Sequence, residues 1–214
     1  MSVKLEEVHS APFNRLFSGT DFREIIIRMY YKMIVNQMVE TFISEEPAWA
    51  KKHQFMTGNL ISDEPGKPLE FKIGSYGEAG PLDFHEQIIP VLSKRFLNAL
   101  YEIGIDNIQA FPAILIDESE RSWGDYFAVN ILGIISCANL DKSSYTNIGA
   151  GVIDIEYLII DYGKTDSTLL FRLAEDPSII VIHEKIFDKL DSFIDPPFKG
   201  ASFKYIKDIS EVDS

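Results

Sequence analysis

From Tyr126 to Ile135 the chain reads YFAVNILGII, an apolar, β-branched and aromatic run with Asn130 as its one clearly polar side chain. Such a run suits a strand covered on both faces better than an amphipathic helix. A chain containing it must place other elements above and below it. Because side chains alternate along a strand, Asn130 falls on the face of Ala128 and Leu132. Its amide then needs partners, since a buried polar group left unpaired costs about 1–3 kcal/mol. Cys137, Asn139, Asp141 and Ser143 mark the exit into a loop over residues 140–147.

The elements around this strand are short. Residues 1–20 carry charge, Pro12 and Gly19 without sustained periodicity and read as a loosely attached arm; Phe22 to Val35 suits a strand or a charged helix face, and the arm is taken to residue 28, leaving residues 29–214 as a single domain. Alternation over Met29 to Val35 predicts a strand. Ser44 before Glu45, Glu46 and Pro47 has the pattern of a helix start, with Pro in the first turn. Turn residues crowd 57–68, and a brief strand is expected at Leu69 to Ile73. Ser93 followed by Phe96, Leu97, Leu100 and Tyr101 at three and four residue spacing predicts a helix over 93–103, with Gly104 at its end. Phe111 to Ile116 reads as a buried strand, and 117–125 as a polar connection into the central one. Further strands are expected near 151–155, 158–160, 169–173 and 179–182. A helix over 183–194 ends before Pro196 and Pro197, and Phe198 to Ile206 returns as an edge strand guarded by lysines. This order predicts an α+β fold, a largely antiparallel sheet around strand 126–135 with helices packed on one side.

At 214 residues the chain can bury roughly 70% of its unfolded surface in one core. Its net charge of −13 is unevenly placed. Residues 1–60 hold seven basic and seven acidic residues, so the whole excess lies downstream, where 13 basic face 26 acidic residues. Phosphate neutralisation needs Lys and Arg, so nucleic acid and anionic membrane are poor partners for such a surface. A basic protein is a good one. No apolar run approaches the about 20 residues of a membrane span, and the opening MSVKLEEVHS lacks the apolar core of a secretory signal. With Cys137 as the single cysteine no intrachain disulfide forms, which fits a cytoplasmic protein.

Chemistry-bearing patterns are sparse. His9, His53, His85 and His183 lie far apart and outside any H-x-x-x-H spacing. Asp83, His85 and Glu86 offer two carboxylates and an imidazole as metal ligands or a base, and Asp83 and His85 with a distant carboxylate are the basis of an alternative reading as a metal-dependent hydrolase; the simpler reading makes them part of a helix N-terminus. Cys137 has no neighbour that would activate it, and no serine stands in a G-x-S-x-G elbow. GSYGEAGP, residues 74–81, lacks the Lys-Ser/Thr of a phosphate-binding loop. The acidic set Asp117, Glu118, Glu120 and Asp125 reads as a solvated loop, as a divalent-cation site without the geometry of a calcium loop, or, with Trp123 and Tyr126 as aromatic anchors, as the candidate partner-binding surface for Arg or Lys. No catalytic residue, metal or cofactor is assigned. A third reading is a homo-oligomeric scaffold joined through an edge at Phe198 to Ile206.

The motif order supplies a resemblance. An acidic position before VLSKRFLNAL, the FPAILI strand, the DYFAVNILGIISCANLDKSS block, LLFRLAEDPSIIVIHEKIFDKL, and a closing Gly-x-x-Phe at Gly200 and Phe203 together span residues 69–205. In this order they resemble a family of bacterial immunity proteins found beside polymorphic or contact-delivered toxins. Met29-Tyr30-Tyr31 looks like the family's usual start, and residues 1–28 have no counterpart in it. The resemblance implies a non-enzymatic inhibitor that binds and neutralises a cognate toxin.

Overall fold

The computed structural model describes residues 29–36, 41–50, 55–75, 80–86, 89–149, 152–193 and 196–212. The arm at 1–28 lies outside them. Strands take 45% of the described residues and helices 16%, and the sheets are curled and approach a barrel. The expected α+β sheet with helices on one side is therefore wrong; the molecule is mostly β.

Two six-stranded sheets and one ribbon account for the strands. The first sheet has the order β11-β14-β1-β13-β12-β8, with β11 Ile159–Ile160, β14 Ala201–Asp208, β1 Tyr30–Val35, β13 Ile180–His183, β12 Leu170–Leu173 and β8 Ile134–Ile135. The second runs β2-β3-β6-β7-β5-β4, from β2 Thr41–Glu45 and β3 Leu69–Ser75 through β6 Ile108–Ile116 and β7 Ser122–Ile131 to β5 Val91–Ser93 and β4 Phe84–His85. β9 Ser144–Gly149 and β10 Val152–Tyr157 form the ribbon. Three pairings, β3 with β6, β12 with β8 and β11 with β14, are parallel.

The central run feeds both sheets, and this is the physical reason for the correction. β7 ends at Ile131, Gly133 takes a φ of 90°, and Ile134–Ile135 enters the first sheet beside β12. A side chain at Gly133 would be strained in that left-handed backbone, so the glycine permits one apolar stretch to be divided between two sheets. Both faces of β7 are covered. Val129 and Ile131 face the core between the sheets, where Leu92, Phe96, Leu100, Ile180, Ile182 and Ile186 also meet, whereas Ala128 faces a second core with Phe55, Phe71 and Phe111. A third core on the far side of the first sheet collects Tyr30, Cys137, Leu158, Phe171 and Ile206. Asn130 is fully buried, and its Nδ2 donates to Asn59 O at 2.8 Å and Gln109 Oε1 at 3.3 Å, which ties the 57–61 segment to the sheet.

The helices lie between the sheets. α1, Lys94–Glu102, starts at Ser93, whose hydroxyl accepts from Phe96 N at 3.3 Å. At its end Gly104 N bonds Tyr101 O and Ile105 N bonds Leu100 O, the paired bonds of a Schellman turn. α2, Glu184–Asp191, is capped by His183, whose Nδ1 accepts from Lys185 N at 3.2 Å. Ile186 and Leu190 of α2 join Phe96, Leu97 and Leu100 of α1 in the central core.

Three local readings also need correction. Ser44 lies in β2 and not at a helix start; Lys51 and Lys52, the end of the helix expected after it, lie outside the described residues. The loop expected over 140–147 contains most of β9, an exposed strand of polar composition that carries no apolar alternation to betray it. The strand expected from Phe198 to Ile206 begins only at Ala201; β1 pairs with it along Ala201 to Ile206, and β11 flanks its other side only at Lys207 and Asp208.

Candidate functional site

The six residues singled out in the sequence sit at the β6–β7 hairpin. Asp117 is the hinge of the turn and is only 8% exposed. Its Oδ1 accepts from Ser119 N and Arg121 N, both at 2.9 Å, and its Oδ2 from Arg121 Nε at 2.7 Å. Burial works against its charge, but the Arg121 side chain and the two backbone N–H groups outweigh it and hold its pKa below the ordinary carboxylate value. Asp117 thus shapes the turn and offers little to a partner.

Glu118 is exposed, and the side chains of Glu120 and Asp125 are 81% and 87% exposed. Glu120 has a φ of 61° and lies 3.9 Å from Lys72 Nζ; Asp125 lies 4.0 Å from Lys94 Nζ. These are loose surface pairs. The three carboxylates are exposed along the β6–β7 hairpin, Glu118 and Glu120 in its turn with Glu120 toward β3, and Asp125 farther along β7 toward the start of α1.

Trp123 and Tyr126 are not free anchors. A register shift pairs Ala113 with Tyr126 but Leu115 with Trp123, so β7 carries one extra residue opposite Ile114. This bulge turns both rings to one face, where they pack against the core of Phe71, Phe111 and Leu115. Burial, then the charge of Asp83, raises the Tyr126 pKa to about 12, so its phenol stays neutral. Trp123 is covered further by the Arg121 guanidinium, 5.6 Å from its ring centroid.

A groove not foreseen from the sequence adjoins this hairpin end. About 420 Å³ in volume, it lies between the end of β2 and the start of β3 and is lined by Glu45, Glu46, Pro47, Trp49, Pro68 and Glu70. Lys72 joins the two features, since it lines the groove and reaches toward Glu120. Trp49 packs on Phe55 and Phe111 at centroid distances of 6.5 and 5.5 Å while also lining the groove. The prolines at 47, 65 and 68 around one tryptophan were the available signal, but only the parallel pairing of β3 with β6 brings them to the hairpin.

The residues behind the hydrolase alternative serve the fold. Asp83 is in β4's approach and not at a helix N-terminus: it accepts from Arg95 Nε at 2.7 Å, Arg95 Nη2 at 2.5 Å, Ser93 Oγ at 2.6 Å and Lys199 N at 2.9 Å. His85 Nε2 accepts from Leu82 N at 3.0 Å, and burial lowers its pKa to about 4 against the opposing pull of Asp83. Among the described residues no three His, Cys, Asp or Glu side chains are grouped to hold a metal ion. Cys137 is fully buried, and burial followed by the charges of Glu175 and Asp161 raises its thiol to about 12. A thiol so held is a poor nucleophile. No helix among the described residues is long and apolar enough to cross a membrane.

The chain matches no protein-family model, and no curated protein matches it.

Proposed function

We propose that this chain is a cytoplasmic, non-enzymatic immunity protein that binds and neutralises a cognate bacterial toxin carrying a basic surface. The observation that supports the reading is the exposure of Glu118, Glu120 and Asp125 along one hairpin of a chain whose net charge is −13. Exposed carboxylates of this kind act mainly on encounter. Electrostatic steering raises association from about 10⁵–10⁶ M⁻¹s⁻¹ toward 10⁸–10⁹ M⁻¹s⁻¹ at low salt, a useful property for a protein that must intercept a toxin before it acts.

The hairpin end alone is too small for tight binding. A stable interface buries about 1,600 Å² in total, so the adjoining β2–β3 end belongs to the contact as well. Co-expression with the toxin encoded beside this gene tests the reading. The chain is expected to restore growth, and the combined Glu118→Lys, Glu120→Lys and Asp125→Lys variant to fail although folded. Equal protection by that variant removes the hairpin from the account, and no protection by the unaltered chain removes the immunity function.

A further inference from the structure

We infer that the groove beside Trp49 receives an arginine side chain of the partner protein. The inference rests on the partner-binding reading and specifies one residue class that the partner presents. Pro47, Trp49 and Pro68 give the groove apolar walls, and Glu45, Glu46 and Glu70 stand in its lining. An arginine fits this combination, because its aliphatic stem lies along apolar surface while its flat guanidinium stacks on an aromatic ring and meets carboxylates in two directions.

The charges around the groove favour a cation. With Glu120 included, the exposed carboxylates there, among the described residues, are Glu45, Glu70 and Glu120, against two ammonium groups, Lys67 and Lys72. Both ammonium groups are already engaged, Lys67 with Glu70 at 2.9 Å and Lys72 toward Glu120 at 3.9 Å. Glu45 is exposed at the end of β2 and makes no ion pair with a described residue. The groove is also continuous, through Lys72, with the hairpin end that the proposed function places in the interface. A partner docked there brings its basic surface across the mouth of the groove.

The full chain titrated with N-acetyl-arginine amide tests this, with N-acetyl-citrulline amide as the uncharged counterpart of the same shape. The readout is the pair of tryptophan indole N–H cross-peaks in an NMR spectrum, assigned with Trp123→Phe. The Trp49 peak is expected to move saturably with the arginine probe and at least tenfold less at the same concentration of the citrulline probe. Glu45→Gln, a change at an exposed carboxylate, is expected to weaken the arginine response about threefold. A Trp49 peak that stays in place, or that moves equally with both probes, overturns the inference. The co-expression assay separates this from the function itself: neutralisation lost in the hairpin variant with a silent Trp49 removes only the groove, and a responsive Trp49 in a chain that neutralises nothing removes only the immunity function.

Discussion

Asp83 and Arg95 form a bidentate pair, Nε to Oδ1 at 2.7 Å and Nη2 to Oδ2 at 2.5 Å, that fastens three segments together. Asp83 precedes β4, Arg95 opens α1, and Arg95 also donates to Pro196 O and Pro197 O with its guanidinium 4.5 Å from the Phe198 ring centroid. Asp83 has a nearly buried side chain, 10% exposed, whereas Arg95 keeps 34%. Asp83→Asn leaves the guanidinium without its counter-charge and weakens the bond from Lys199 N. A loss of about 3 kcal/mol is expected, reduced from the fully buried case by solvent at Arg95. Urea denaturation measures it, and an unchanged midpoint contradicts the role.

His85 gives the fold an acid limit. Its pKa is about 4 in the folded chain, because it is buried and accepts from Leu82 N, against about 6.5 unfolded. Between these values the unfolded chain takes up a proton that the folded one refuses. Stability is therefore complete above about pH 6.5 and falls as pH is lowered toward 4, by about 3 kcal/mol in all. Glu86 acts with opposite sign, since burial raises its pKa against the bond from Val35 N and the charges of Lys32 and Arg172, and it offsets part of the loss just above its unfolded value. Asp83, whose pKa is lowered, adds its own loss only at still lower pH. Denaturation midpoints at pH 7, 5.5 and 4.5 are expected to decline in the unaltered protein and to flatten in His85→Gln, whose amide oxygen still accepts from Leu82.

Lys32 and Lys204 are paired residues on the adjacent antiparallel strands β1 and β14. Like charges directly opposite each other are unfavourable by a few tenths to about 1 kcal/mol. Lys204→Glu turns repulsion into attraction at an exposed position. A melting temperature higher by about 1–3 °C is expected by calorimetry, and a lower one shows that the lysine pair does not repel.

Gly200 is held against β4. Its φ is 94°, Asn36 N bonds its carbonyl at 2.7 Å, and a Cβ there would collide with Phe84 O and with Leu82 Cβ, the latter at 2.8 Å. Strain and crowding each cost about 1–3 kcal/mol, so Gly200→Ala is expected to destabilise by about 3 kcal/mol. Gly66→Ala, with no atom within 4 Å of the added Cβ, is the control and leaves urea stability unchanged within about 0.5 kcal/mol.

The sequence is legible where a short window decides the structure. Ser93 and Gly104 bound α1 because the hydrogen bonds that start and end a helix are local, and the aromatic and β-branched run from Tyr30 to Val35 reveals β1, which buries Tyr30 on one face and Met33 on the other. It is illegible where distant segments decide. Nothing within YFAVNILGII states that Gly133 hands its end to another sheet, and β9, SYTNIG, has no buried side chain to impose a pattern. At the candidate site, Glu118, Glu120 and Asp125 are readable as surface carboxylates, but Asp117 has the same chemistry and is claimed by the backbone of its own turn. Trp49 meets the hairpin only because β3 runs parallel to β6, across more than forty residues of chain.

In the proposed function, the exposed carboxylates of the β6–β7 hairpin draw in a basic partner. Stopped-flow association with the proposed toxin partner, measured from low to physiological salt, is the decisive measurement. The rate is expected to fall at least tenfold across that range, and the Glu118→Lys, Glu120→Lys, Asp125→Lys variant to associate slowly with little dependence on salt. An association rate that is independent of salt, and equal in the two proteins, contradicts the account.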